Sequence, residues 1–219
     1  MTKIAPLPRI VVQLFAKAPV AGRVKTRLIP ALGEEAAASL AAQMLAKTLN
    51  ECRQALVQPV ADYTLTAELW ASPNIVSADW CGVDIPAEMA IFRQCEGDLG
   101  ARMATGVSHG LERADGVILI GSDCPELTAT SLHWAAENLL SHDSVMIPSV
   151  DGGYALLGVR RYLSSLFADM PWSTERVASL TRQRLAACAM VLVERPAVHD
   201  IDEAADLAYL PADWPEYRS

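Results

Sequence analysis

The apolar positions of this chain change period repeatedly, from short runs to alternation to helical stripes, and each change marks an element. Ile10 to Phe15 is apolar except for Gln13, the pattern of a strand buried on both faces. From Glu34 to Gln54 the period is helical. Ala37, Leu40, Ala41, Met44, Leu45, Thr48, Leu49 and Cys52 share one face there, and Glu35, Ser39, Gln43, Lys47 and Glu51 lie opposite. Tyr63 to Trp70 alternates and reads as a second strand, ended by Ser72-Pro73-Asn74. Ile75 to Glu88 is irregular, and Ala90 to Arg93 is a third strand. Asp98 is a good N-cap for a helix reaching about Arg113, with Leu99, Met103, Val107 and Leu111 on its inner stripe. Val117 to Ile120 is a short buried strand that stops at Gly121-Ser122-Asp123-Cys124-Pro125. A helix from about Thr128 to Leu140, a strand from Ser144 to Val150 and an apolar stretch from Ala155 to Val159 follow. The pattern ends with a helix from Glu175 to Ala187 capped by Ser173 or Thr174, a strand from Cys188 to Val193 and a short helix from Glu203 to Tyr209.

Strands and helices alternate along the whole length, which predicts an α/β fold rather than a bundle or sandwich. With 219 residues, 52% of them hydrophobic, one good-sized core and a single domain are expected. No charge-free apolar run approaches the roughly 20 residues of a membrane span. The N-terminus also lacks a signal peptide's apolar core, so the expected location is the cytoplasm. Five scattered cysteines with no CxxC pair suggest neither a disulfide framework nor a zinc site, and read as reduced, mostly buried thiols. His133 and Trp134 have no partner motif and read as surface or packing residues.

The net charge of −8 argues against a nucleic-acid surface, but it is unevenly spread. Residues 1–33 hold six of the 18 basic residues, Lys3, Arg9, Lys17, Arg23, Lys25 and Arg27, and none of the 26 acids. The loop after the first strand, Ala16 to Leu28, combines Gly22 with four of these cations. Gly permits close backbone approach and the cations offset charge, as a phosphate site requires. It is not a Walker A loop, because the first glycine is missing. Asp123 stands at a strand tip, where ligands bind in open α/β sheets. A second acidic turn, Asp151-Gly152-Gly153-Tyr154, lies near the same edge if the strands are neighbours. The late Asp200/Asp202 pair completes a constellation suited to magnesium or manganese bridging carboxylates to phosphates, with Lys17, Lys25 and Arg27 holding the phosphate oxygens. His199 reads as a neighbouring or solvent-facing residue.

The succession KAPVAGRVKTRL, GDLGARM, GSDCPEL, DGGYALLG, PWST and DIDEAADL, from about Ile10 to Leu207, resembles the bacterial DUF2064 group, transferases associated with radical-SAM and arsenosugar gene neighbourhoods. That group lies in the GT-A, or nucleotide-diphospho-sugar transferase, superfamily. The resemblance implies a three-layer α/β/α Rossmann-like fold, mostly parallel with one antiparallel strand, binding a nucleotide and a magnesium or manganese ion. Carried over by position, Ala16, Lys17, Gly22, Lys25, Arg27 and Asp98 are nucleotide-binding residues, although capping alone accounts for Asp98. Asp123, Asp200 and Asp202 are metal ligands; Gly152, Gly153, Tyr154, Trp172 and Thr174 line the acceptor side; Asp151 and Lys25 are catalytic, Asp151 as base. The SDCP context departs from the DxD motif of many sugar transferases and is closer to guanylyltransferases for molybdenum cofactor and phospholactate. The leading expectation is a metal-dependent glycosyltransferase joining a nucleotide sugar to a small-molecule acceptor. The alternatives are a nucleotidyltransferase using a nucleoside triphosphate, or a non-catalytic nucleotide-binding module.

Overall fold

The computed structural model describes residues 6–217, so Lys3 of the basic segment lies outside the described residues. Seven strands form one sheet: β1 (Arg9–Lys17), β2 (Thr64–Ser72), β3 (Ala90–Arg93), β4 (Gly116–Gly121), β5 (Ser144–Pro148), β6 (Tyr154–Val159) and β7 (Leu192–Glu194). Their spatial order is β3-β2-β1-β4-β6-β5-β7. Every pairing is parallel except those of β6, which runs antiparallel to β4 and β5. The expected mostly parallel sheet with one antiparallel strand is present.

The run Ile10 to Phe15 is central because it is apolar on both faces. Ile10, Val12, Leu14 and Ala16 enter the core beneath α2 (Glu34–Val57) and α4 (Ala129–Leu139). Val11 and Phe15 face the opposite core, beneath α3 (Leu99–Leu111) and α5 (Val177–Ala187). Helices on both faces make the three layers. The short α1 (Ile29–Leu32) and the C-terminal residues Trp214 and Tyr217 close a third cluster against α2. No helix among the described residues is long and apolar enough to cross a membrane.

Several boundaries differ from the sequence reading, two of them for a local reason. The helix expected from Glu175 begins at Val177, with no side-chain cap from Arg176. Thr174 Oγ1 donates instead to Pro171 O at 2.7 Å and accepts from Arg176 N at 3.4 Å, a turn of its own before the helix. The last strand was expected over Cys188–Val193 but spans Leu192–Glu194, because Cys188 ends α5 and Ala189 is left-handed, φ 53°. The remaining chemistry follows from where β1, β4 and β6 meet the loops at one sheet edge.

Candidate active site

The loops after β1 and β4 separate at the carboxyl ends of two adjacent parallel strands, and a cleft of about 690 Å³ opens between them. Its cations come from two elements: Lys17, Arg23, Lys25 and Arg27 line it from the β1 loop, and Arg102 lines it from α3. Asp151, Gly153, Tyr154, Trp172, Ser173 and Thr174 also line it, and Asp123, Asp200 and Asp202 reach it.

Asp123 follows β4 directly, and its carbonyl accepts from Ile201 N at 3.0 Å. That bond fixes the late segment beside the strand tip. Ile201 is fully buried, so its neighbours Asp200 and Asp202 are left to project into the cleft. Lys25 Nζ lies between two of these acids, 2.7 Å from Asp202 Oδ1 and 2.9 Å from Asp123 Oδ1. Burial acts to lower the pKa of Lys25, but the two carboxylates outweigh it and hold the ammonium above the ordinary lysine value. Asp200 is in the reverse position. Burial first, and the Asp151 carboxylate next, push it up to about 6.

In the turn between β5 and β6, Asp151 is oriented locally. Its Oδ1 accepts from Ser149 Oγ and, at 2.8 Å, from Gly153 N, which leaves its other oxygen outside these bonds. Gly152 has φ 92°, and a Cβ there would meet Glu175 O at 2.2 Å, so this position shapes the turn. Tyr154 directs its hydroxyl to the Met103 sulfur at 3.8 Å.

Most expected positions thus converge: Ala16, Lys17, Lys25, Arg27, Asp98, Asp123, Asp151, Gly153, Tyr154, Trp172, Thr174, Asp200 and Asp202 all line the cleft. Gly22 and Gly152 are outside its lining. Gly22 turns left-handed, φ 75°, with Glu34 facing it. Asp98 does cap α3, accepting from Ala101 N at 2.8 Å, while also lining the cleft. Arg23 is engaged with Asp79 at 2.8 Å. The sequence reading missed Gln94 and Arg102. Gln94 Nε2 donates to Ala16 O at 3.2 Å and Trp70 O at 2.7 Å, joining the tips of β1 and β2. Its Oε1 accepts from Arg102 at 3.4 Å. Arg102 follows Asp98 by one helical turn, and that spacing was the available signal. Gln94 offered none.

Among the described residues, no group of three or more His, Cys, Asp or Glu side chains is arranged to hold a metal. Asp123 and Asp202 nevertheless present hard oxygen donors to one shared point, taken up by Lys25. Magnesium and manganese are commonly held by one or two carboxylates plus substrate phosphates, so the donor set fits such an ion.

Several solved structures share this fold. A protein of Desulfovibrio desulfuricans G20, provisionally named a nucleotide-diphospho-sugar transferase, is 24% identical with a TM-score of 0.80, over 93% of this chain and 87% of its own. Rv0371c of Mycobacterium tuberculosis H37Rv, in complex with manganese, is 17% identical with a TM-score of 0.54, over 93% and 97%. CMP:2-keto-3-deoxy-manno-octonic acid synthetase, complexed with CTP, is 11% identical with a TM-score of 0.56, over 95% and 99%. At such identities the likeness establishes the fold. No curated protein matches the chain. The profile of DUF2064, described as an uncharacterized protein conserved in bacteria, matches residues 48–174, from within α2 through the Asp123 tip and the Asp151 turn to Thr174. That is more than half of the sequence, and the chain belongs to the DUF2064 family.

Proposed function

We propose that the protein is a metal-dependent transferase that moves a sugar from a nucleotide diphosphate to a hydroxyl of an uncharged small molecule. The division of charge among the segments that line the cleft carries this reading. The β1 loop and α3 contribute its Lys and Arg side chains, whereas the turn at Asp151 to Tyr154 and the segment Trp172 to Thr174 contribute Asp151 and no Lys or Arg. A diphosphate suits the first group. A phosphate monoester or sugar acid would meet Asp151 in the second, so a neutral polyhydroxylated acceptor fits better.

Lys17 and Arg27 hold the diphosphate oxygens, and Gln94 keeps the start of that loop in place through Ala16. Asp123 and Asp202 would hold a magnesium or manganese ion. Bound there, the ion supplies Lewis-acid stabilisation of the charge that develops on the departing diphosphate. The acceptor hydroxyl attacks the anomeric carbon, the bond from that carbon to the diphosphate oxygen breaks, and the free oxygen of Asp151 takes the hydroxyl proton. Ser149 and Gly153 orient Asp151 for this through its other oxygen. The location that goes with this reading is the cytoplasm, where nucleotide sugars are available.

A second reading, nucleotidyl transfer with release of pyrophosphate, is supported by the Ser122-Asp123-Cys124-Pro125 tip in place of DxD and by the synthetase fold complexed with CTP. Incubation with manganese and matched neutral and anionic acceptors, together with each nucleotide sugar or with GTP or CTP, separates the two. UDP or GDP release that depends on a neutral acceptor is the expected result. Pyrophosphate release from GTP or CTP without any nucleotide-sugar turnover would overturn it.

A further inference from the structure

The ion pairs of Lys25 differ from those of the other paired cations in the cleft. Arg23 and Arg27 each meet one carboxylate at the rim, with side chains 66% and 60% exposed. The Lys25 side chain is 6% exposed, and its single ammonium is shared by acids from two distant parts of the chain. Its backbone is left-handed, φ 47° and ψ 41°, a conformation a lysine adopts only when its surroundings hold it there.

We propose that Lys25 is a resident counter-ion that competes with the divalent metal for Asp123 and Asp202, and moves to the phosphates when a nucleotide enters, so that metal and nucleotide bind cooperatively. This rests on the metal-dependent reading above. The point shared by the two carboxylates accommodates one cation at contact distance, either the ammonium or a metal ion. With the ammonium in place the carboxylate oxygens are engaged and a second cation is repelled. The flexible four-carbon stem of lysine lets the same head group reach a diphosphate bound beside it in the cleft. Phosphate oxygens then replace the two carboxylates as its partners, so vacating the acids costs less with nucleotide present than without it. By linkage, nucleotide strengthens metal binding by the same factor as metal strengthens nucleotide binding.

Two consequences have opposite signs, which distinguishes this role from a plain phosphate contact or a structural ion pair. Removing the ammonium weakens nucleotide binding and tightens metal binding. A phosphate contact alone predicts no change in metal affinity, and a purely structural pair predicts a site that collapses and binds metal less well.

The test is a titration with manganese alone, no nucleotide present, on the wild-type chain and Lys25→Met, read by the loss of free-ion signal in electron paramagnetic resonance. The expected result is manganese binding about tenfold tighter in the variant, within the usual range of coupling between sites. Equal or weaker binding overturns the proposal and leaves the metal-dependent reading standing. No binding by either protein overturns the proposal, and repeating the titration with UDP or GDP present then tests the metal-dependent reading separately. If circular dichroism shows that Lys25→Met does not fold, the wild-type chain supplies the measurement. Acetylation of Lys25, read by peptide mass spectrometry against Lys47 as internal reference, is expected to speed up several-fold when manganese is added. An unchanged rate at saturating manganese overturns the proposal.

Discussion

A nearly buried ammonium shared by two carboxylates is screened by salt far less than one at the surface, so the cations of this cleft fall into two classes. Lys17 and Arg27 are exposed. Lys17→Ala and Arg27→Ala should each weaken UDP or GDP binding several-fold at low salt, and the loss should shrink at about 0.5 M salt. Lys25→Ala should cost more and be nearly indifferent to salt. Calorimetry at two ionic strengths checks this, and a common salt response would place all three at the surface. Asp123→Ala should abolish manganese-dependent nucleotide binding while the melting temperature moves by no more than ~2 °C, because a strand-tip side chain 54% exposed is not core. Unchanged manganese affinity would remove Asp123 from the site. The thiols give a further check. Burial first, and the Glu51 carboxylate next, push Cys52 up to about 12, whereas Cys81 is exposed. The thiolate is the reactive form, so at pH 8 iodoacetamide should label Cys81 in the native protein and reach Cys52 only after denaturation. Early labelling of Cys52 would contradict its burial.

At the scale of elements, the turn between β5 and β6 is set by its neighbour α5. Gly152 accepts at its carbonyl from Ala178 N at 2.8 Å, and its φ of 92° leaves no room for a side chain beside Glu175. Gly152→Ala should therefore destabilise by about 2–3 kcal/mol, a fall in melting temperature of roughly 4–12 °C, and should displace Asp151. A melting temperature within ~1 °C of wild type would mean that the turn does not pack on α5 in this way. Elements of this kind were legible in the sequence to the extent that one period governed them. Ile10 to Phe15 is buried on both faces and reads as apolar but for Gln13, itself buried, and the stripe from Ala37 to Cys52 matches the buried face of α2. The reading slipped where local bonds compete with the period, as at Thr174, and where an apolar run serves a helix end before a strand, as at Cys188–Val191. The pairing of Lys25 with Asp202 was not legible at all. It joins residues 177 positions apart, and its existence depends on which strand tips become neighbours. The sequence did show that both groups belong at one edge, because each follows an apolar strand or an acidic motif. It could not show that one neutralises the other.

For the whole molecule, the strand order places the two kinds of charge. β1 delivers the cationic loop, β4 delivers Asp123, and β6 with the loop after β7 delivers Asp151, Asp200 and Asp202, so the cleft is built from both halves of the sheet. No break in the core separates those halves. β1 pairs with β2 from Arg9 to Lys17 and with β4 from Ile10 to Phe15. The cluster beneath α2 and α4 contains residues from Ile10 through Leu156, and the cluster on the opposite face runs from Val11 to Met190. We propose that the chain is a single cooperative domain, whose cleft cannot be emptied or filled without affecting all of it. Calorimetry should then show one unfolding transition with equal calorimetric and van't Hoff enthalpies. A ligand that binds only the folded state stabilises it by about 2.7 kcal/mol at a hundred times its dissociation constant. UDP or GDP with manganese at that excess should therefore raise the single transition by roughly 5–10 °C. Two transitions, with only the one containing β1 and the basic loop moved by ligand, would mean that the halves unfold separately and that Asp123 and Asp202 do not close the nucleotide site together.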